Sequence, residues 1–512
     1  MPNDASLPKK FIPIQLFPMR TKSRLCEIVD EARRLAEYDP VILTKIDSDR
    51  DMMALEKKRI RLRDREWEVR SGGNSLLDLM GDGGATDEVV LGEGRPRLPA
   101  LLFLTFSMIR GWLGGAKESV VRTMLAESVS VAALCEEFGV VLPGASTIEE
   151  NCNAISAETQ EYILKAQLVM ARGEGLDDYF DVAFDSTVVW SMSAFPTDSS
   201  VIAKLVSRIR HGFEILRTFD LEVSISMTTE LKIEEVLRHA KEIALIGKGK
   251  DTVRKRKRLY KVLYTRSRAA IGYLTRALNR LLPKVAELQE RPSIMDKIEG
   301  IILSMKEDLV DTERAIAASE ERTQHGGKVD AVDKVLSVSD DSAAMIVKGG
   351  REPVLGYKPQ IGRSATGLVT AFMIDEGNPT DSSQMVAIVK NHRTNTGVTP
   401  KTMSFDSGYA SAKGFGECQS IEGVEKVSIS GAKGRRLISE EMYDSLEYEE
   451  LRNFRSTVES TIGHLKGSHR FGECRRSGLK SIRHELMEKI LSFNLVKILR
   501  LRAIKAERAN AA

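Results

Sequence analysis

Cysteine is scarce in this chain. There are five (Cys26, Cys135, Cys152, Cys418 and Cys474), and no two form a C-x-x-C pair, which excludes a disulfide framework and a zinc ribbon and leaves free, partly buried thiols as the expectation. The seven histidines are not grouped as metal ligands either. Long apolar runs are also missing. The longest, 101–109, is broken by Thr105 and Ser107 and falls well short of the roughly 20 residues that cross a bilayer. Lys9 and Lys10 precede a short apolar patch at 11–17, but prolines interrupt it and no small-residue cleavage site follows, so it does not read as a signal peptide. A soluble, cytoplasmic protein without membrane contact is expected. No excess of one charge stands out over the whole chain: 76 lysines and arginines face 73 acids, for a net +3.

What is present is an ordinary globular composition, 42% hydrophobic and 29% charged over 512 residues, enough for about three domains at roughly 150 residues each. The balanced total hides a cluster. Between 248 and 284 there are thirteen basic residues, among them Arg254, Lys255, Arg256, Lys257 and Arg258, against the single acid Asp251. A local net charge of +12 on so short a segment repels itself unless a polyanion neutralises it, which points to nucleic-acid phosphates. The alternative is a solvated helix face.

Residues 1–70 read as an N-terminal helical region, and 71–99, with seven glycines before Pro96 and Pro99, as a linker. From 100 to 172 apolar residues recur every three and four positions, which predicts a helical block. Within it, 129–154 is a helix-turn-helix candidate with Ser146 as the N-cap of a helix from Thr147, although Glu149 and Glu150 would then face phosphates. Strand patterns follow at 179–184, 353–361, 367–374, 402–405 and 424–429, with helices at 382–389 and 453–466. This order predicts an α/β mixed sheet flanked by helices over 173–500, with 501–512 left as a tail. A long helical interruption at 199–345 comes after the first strand. Its two apolar stripes, one from Leu259 to Leu281 and one from Ile294 to Ile316, predict an antiparallel hairpin turning near Pro283 and Pro292.

Asp185 and Asp406 each close a short apolar strand and each precede serine, in Phe184-Asp185-Ser186 and Phe405-Asp406-Ser407. Taken singly, such an aspartate is a turn or helix cap. Two carboxylates at neighbouring strand ends, however, repel unless a cation lies between them, and hard oxygen ligands suit Mg²⁺ or Mn²⁺. Two such ions about 3.5–4 Å apart can activate a water and stabilise the leaving oxygen in phosphodiester cleavage. A third carboxylate, Glu459, shares a helix face with Arg455 and Lys466, the three falling within about 40° of one another at roughly 100° per residue. Phe454, Val458, Ile462 and Leu465 form the adjoining apolar stripe, so Glu459 is expected at the rim of the core. An i, i+4 surface pair is the alternative. Beyond it, His464, His469, Arg470, Arg475, Arg476, Lys480 and Arg483 make a basic patch suited to phosphate contact. Pro-Thr-Asp-Ser-Ser occurs at 196–200 and again at 379–383, and reads as helix initiation with Asp or Ser as the cap.

Five blocks occur together and in order: Phe184-Asp185-Ser186-Thr187-Val188-Val189, Phe195 to Ser200, Glu376-Gly377-Asn378-Pro379-Thr380-Asp381-Ser382, Phe405-Asp406-Ser407-Gly408-Tyr409, and Val458 to Lys466. With them the chain resembles bacterial insertion-sequence transposases of the DDE type, nearest the ISNCY-like branch, over roughly 100–500. The resemblance implies an RNase H-like core with the helical hairpin inserted in it, and Asp185, Asp406 and Glu459 as a catalytic, metal-binding triad for two Mg²⁺ or Mn²⁺ ions. It also implies double-stranded DNA, transposon ends and target, as the partner of a homodimer or larger synaptic complex. Arg455, Glu459 and Lys466 match three positions of the Tyr-x2-Arg-x3-Glu-x6-Lys signature of related transposases, while Arg452 stands at the tyrosine position.

Asp406 and Glu459 are 53 residues apart and Asp185 and Asp406 are 221 apart, so a large insertion belongs after the first strand. Arg455, Lys466, the 254–258 run, Arg475 and Arg476 are the residues expected on DNA. The implied activity is binding of terminal inverted repeats, strand cleavage and strand transfer, with end recognition in 100–172. An RNase H-like nuclease without strand transfer, and a non-catalytic DNA-binding descendant of a transposase, are the alternatives. Three carboxylates kept in context speak against the second.

Overall fold

The computed structural model describes residues 23–71, 97–192, 197–219, 221, 225–247, 250–330, 333–348 and 352–511. Most of the glycine-rich 71–99 segment therefore lies outside the described residues. Helix α1 (Arg24–Tyr38) opens at Ser23, whose hydroxyl accepts from the amide of Cys26. After Asp39 and Pro40, α2 (Val41–Ser71) begins. Helix α3 (Ala100–Trp112) is buried nearly all round, and Gly114 and Gly115, both at φ 70°, turn the chain after it in a conformation costly for any side chain. Four helices follow: α4 (Glu118–Ala126), α5 (Val129–Glu137), α6 (Ala145–Ala154) and α7 (Ala157–Gly173). Helix α6 starts at Ala145 with Gly144 as its N-cap, not at Thr147 after Ser146. Neither α5 nor α6 carries a lysine or arginine, Glu149 and Glu150 are exposed, and Glu150 pairs with Lys57 of α2. The helix-turn-helix candidate thus lacks the cations that phosphates require.

Strand β1 (Asp181–Ser186) leads into a short β2 (Val189–Trp190), and the chain then leaves the sheet for a helical insertion. Among the described residues the insertion holds four α-helices, the expected pair and two more before it: α8 (Asp198–Arg217), α9 (Met227–Ala244), α10 (Lys250–Ala286) and α11 (Pro292–Glu320). Helix α8 packs on α11 and α9 on α10, and the four enclose a core of their own around Ile209, Phe213, Leu263, Leu274 and Ile302. The extra pair was hidden because each stripe, read alone, satisfies a two-helix solution equally well. Pro283 lies inside the last turn of α10, and Pro292 opens α11, where its missing N–H is no loss. Helix α2 props this unit, with Asp64 accepting from the amide of Ser293 at 2.9 Å and Glu68 pairing with Arg291 at 2.7 Å.

The remaining elements are β3 (Ala344–Ile346), β4 (Val354–Tyr357), β5 (Gln360–Ser364), β6 (Val369–Met373), α12 (Asp381–Thr396), β7 (Thr402–Phe405), α13 (Ala412–Gln419), β8 (Lys426–Ile429), the short α14 (Gly431–Arg435) and α15 (Glu440–Tyr443), α16 (Leu446–Ser468) and α17 (Leu479–Ala511). The extended run expected at 353–361 is split into β4 and β5, because Pro359 has no N–H for a ladder. The main sheet has the order β6-β5-β1-β7-β8. Its first three strands pair antiparallel and β1, β7 and β8 pair parallel. A three-stranded sheet, β2-β4-β3, stands beside it.

Strand alternation sorts the two faces of the main sheet. Val182, Phe184, Met403 and Phe405 pack under α12 and α13 with Met385, Ile388 and Phe415. Ala183 and Ile361 face the other way, into a core shared with α1, α3, α7, α16 and α17. The N-terminal helices and the catalytic region expected at 173–500 therefore share one core. The 501–512 tail is likewise revised: Ala511 is the last residue of α17, since no glycine or proline interrupts 501–511. Asn494 of α17 closes the sheet edge, its side chain accepting from the amide of Val369 and donating to its carbonyl, both at 2.8 Å.

Candidate active site

The register of the sheet brings the first two carboxylates together. Phe184 lies opposite Phe405 across the parallel β1–β7 pair, with the rings stacked 4.9 Å apart. The residues that follow, Asp185 and Asp406, consequently leave the strand ends side by side. Because Phe184 and Phe405 point into the core under α12, the aspartates point to the opposite face, where α16 crosses the sheet. Val458, Ile462 and Leu465 bury that helix, and one turn of it then offers Arg455 and Glu459 to the strand ends.

One guanidinium nitrogen meets all three carboxylates. Arg455 Nη2 lies 3.4 Å from Asp185 Oδ2, 3.5 Å from Asp406 Oδ1 and 2.7 Å from Glu459 Oε1. The three carboxylates grade from inside to outside, with side chains 8%, 29% and 61% exposed for Asp185, Asp406 and Glu459. Burial pushes the Asp185 carboxyl above its usual range. Lys348 and Arg455 oppose that shift and neighbouring Asp406 adds to it.

Lys348, just past β3, was not singled out by the sequence. Its Nζ is 3.1 Å from Asp185 Oδ1 and 2.9 Å from Ser186 Oγ, and it also donates to the Ser186 carbonyl. A lone lysine 163 residues from its partner carries no spacing signal. A second group, whose Asp381 and Tyr409 the sequence placed in motif blocks without this role, braces the turn after Asp406. Asp381 Oδ1 accepts from Gln360 Nε2 at 3.1 Å and faces Lys358 Nζ at 3.4 Å, while the Tyr409 hydroxyl donates to Gln360 Oε1. Burial, then Asp381, Asp185 and Asp406, hold the Tyr409 phenol well above its ordinary value. The two Pro-Thr-Asp-Ser-Ser segments do begin helices, but threonine takes the N-cap: Thr197 forms a capping box with Ser200, and Thr380 precedes α12. The aspartates are free for other work, Asp198 accepting from Arg322 at 2.6 Å.

The expected DNA-contacting residues fall into three places. Lys466 is exposed on α16, about 10 Å beyond Glu459 at 1.5 Å rise per residue. Arg254, Lys255, Lys257 and Arg258 are exposed on α10, whereas Arg256 is half-buried and donates to the Ile246 and Gly247 carbonyls. Arg475 and Arg476 line a cavity of about 530 Å³ with Arg110, Lys117 and Arg470, away from the three carboxylates. Arg476 also donates to Asn153 Oδ1 at 2.7 Å. His469 leaves the basic patch altogether. It is buried against Phe493, and burial lowers its imidazole to about 4, so it is neutral and turned away from phosphates.

Residues 338–495 match the family model of the transposase DDE domain. The match takes in Lys348, Asp406, Arg455 and Glu459 and begins after Asp185. It supports a DDE-type transposase, a nuclease-type enzyme of a kind that acts on DNA and generally uses divalent metal ions. No curated protein and no solved structure matches the chain. Among the described residues no three histidine, cysteine or carboxylate groups stand as a ready metal cage, and no helix is long and apolar enough to cross a membrane. The Arg455 guanidinium occupies the space between the carboxylates. The donor set is nonetheless all carboxylate oxygen, the chemistry that Mg²⁺ and Mn²⁺ require.

Proposed function

We propose that the protein is a transposase with an RNase H-like core that binds the terminal inverted repeats of an insertion sequence, cuts them and joins the freed ends to target DNA. The observation that carries this reading is the convergence of Asp185, Asp406 and Glu459 on one nitrogen of Arg455, inside a chain that matches the DDE domain. A mixed sheet of three antiparallel strands followed by two parallel ones supports the RNase H-like assignment. The ISNCY-like branch and a bacterial, nucleoid-associated setting belong to the same proposal.

Asp185 and Asp406 would hold the divalent ions, with Glu459 completing the second site. Ions held there would make a bound water acidic and offset charge on the leaving 3′-oxygen. Glu459, the most exposed of the three, orients the attacking water. Arg455 turns its guanidinium from the carboxylates to the scissile phosphate, and Lys466 grips the backbone further along α16. In the first reaction water attacks phosphorus and the 3′-oxygen leaves with a proton. In the second that 3′-hydroxyl gives up its proton and attacks a target phosphodiester, whose own 3′-oxygen leaves with a proton, so no covalent enzyme intermediate is needed. Two ends handled together imply a dimer or larger assembly.

The test is a Mg²⁺ cleavage and joining assay on DNA carrying the repeats that flank the gene. Asp185→Asn, Asp406→Asn and Glu459→Gln should each abolish cleavage, by about 10³-fold or more if an ion ligand is lost, with circular dichroism and DNA binding kept. Full activity in any variant removes that residue from the triad. Cleavage by the wild type without joining to target would establish the nuclease instead.

A further inference from the structure

Both carboxylate oxygens of Asp185 face a positive charge, and the two charges come from different elements. Oδ2 faces Arg455 of α16 at 3.4 Å, and Oδ1 faces Lys348, beyond β3, at 3.1 Å. The lysine is also held by the carbonyl and hydroxyl of Ser186, so it sits on the end of β1 itself. Its side chain is 34% exposed, against 8% for Asp185, which leaves it room to swing out while the aspartate stays fixed. A divalent ion bound to Asp185 would stand about 2.0–2.1 Å from its oxygen. An ammonium on the same oxygen would then lie within about 5 Å of the ion, where two positive charges in a partly buried site repel by more than thermal energy.

We propose that Lys348 is a built-in counter-ion of the carboxylate cluster, which a divalent ion displaces from Asp185. The proposal rests on the reading of Asp185 as a metal ligand. In the ion-free protein Lys348 fixes Asp185 at the strand end through Oδ1 and the Ser186 hydroxyl and carbonyl. On loading it gives up Oδ1. Arg455 differs, because it bridges three carboxylates from a packed helix, whereas Lys348 touches Asp185 alone of the three. Lys348 is therefore a positioning residue whose removal should have opposite effects on stability without metal and on affinity for metal.

The test uses the full-length protein without DNA and compares wild type with Lys348→Met and Lys348→Arg, measuring melting temperature in EDTA and in saturating Mn²⁺, and Mn²⁺ affinity by calorimetry. Lys348→Met should melt lower than wild type in EDTA, lose that deficit in Mn²⁺, and bind Mn²⁺ more tightly, on the order of tenfold for one partly screened charge removed. Lys348→Arg should stay near wild type. Lys348→Gln, which keeps a donor without the charge, takes the place of the methionine variant if that one does not fold. An equal drop in melting temperature with and without Mn²⁺, at unchanged or weaker affinity, makes Lys348 a structural strut and overturns the displacement alone. Failure of the wild type to bind Mn²⁺ overturns both the displacement and the metal-site reading.

Discussion

Replacing Arg110 by methionine should unsettle far more than the immediate surroundings of that side chain. Arg110 of α3 and Glu488 of α17 are each 1% exposed at the side chain. The guanidinium donates to Oε2 at 2.9 Å and to Oε1 at 2.5 Å, with a further bond to Asn153 Oδ1 at 3.0 Å. Ser107 Oγ donates to Oε1 at 2.8 Å. Burial alone would raise the Glu488 carboxyl, but the charge and hydrogen bonds of Arg110, together with the nearby His484 and Arg476, outweigh it and leave the group below its ordinary range. Arg110→Met removes the cation and strands a buried carboxylate, a change that costs about 3–5 kcal/mol. That is a large share of the roughly 5–15 kcal/mol that holds a folded unit together. Glu488→Leu should cost a similar amount by stranding the guanidinium. Combining the two should bring stability back to within about 2 kcal/mol of wild type, because an apolar pair no longer carries the desolvation of either charge. Urea unfolding followed by circular dichroism reads all four members of the cycle. If either single variant lies within about 1 kcal/mol of wild type, or the double variant is as unstable as the sum of the singles, the pair is not the clamp described here.

Two further predictions concern charge and protons. Arg254→Glu, Lys255→Glu and Arg258→Glu combined should weaken binding to every DNA sequence and flatten the salt dependence of affinity, by about 0.9 in the log–log slope for each phosphate that the protein no longer neutralises; an unchanged slope would leave the 248–284 run as a solvated face. Burial holds His392 down to about 3 and His469 and His484 down to about 4, so each stays neutral in the folded chain but takes a proton near pH 6.5 when unfolded. Their contribution is therefore complete above pH 6.5 and fades as the pH falls toward 4, by about 2 kcal/mol each at pH 5. His469→Phe, at the imidazole whose two nitrogens have no partner among the described residues, should shrink the drop in stability between pH 7.5 and 5, and an unaltered drop would discharge His469 from that role.

The carboxylate site was largely legible because local periodicity places it. A period of two sends Asp185 and Asp406 away from the phenylalanines that precede them, and a period of 3.6 puts Arg455 and Glu459 on one edge of an apolar stripe. Lys348 was not legible, since nothing in Val347-Lys348 marks a partner on β1. His469 was misplaced because Arg470 and Lys466 surround it in sequence while Phe493 surrounds it in space. The helical block at 100–172 reads as a unit of its own for the same reason. Leu102, Phe103 and Phe106 announce a buried helix, but only the fold reveals that α17 joins α1, α2 and α6 in burying it.

That arrangement also sets an order for synthesis. Helix α17 lies against α3 and α7, with Gln160 and Gln167 donating to its carbonyls at 3.2 and 3.0 Å, yet it follows both by more than three hundred residues. While a ribosome is still translating the sheet, α1, α2 and α6 can already pack on α3, but the side that α17 covers stays open, and contacts of such sequence separation form slowly. A message broken before residue 479 would leave the α17-facing sides of α3 and α7 exposed, apolar surface prone to association. The carboxylate site shares that dependence: Asp185 is made early, but the core beneath its sheet is complete only when α17 packs against α3 and α7.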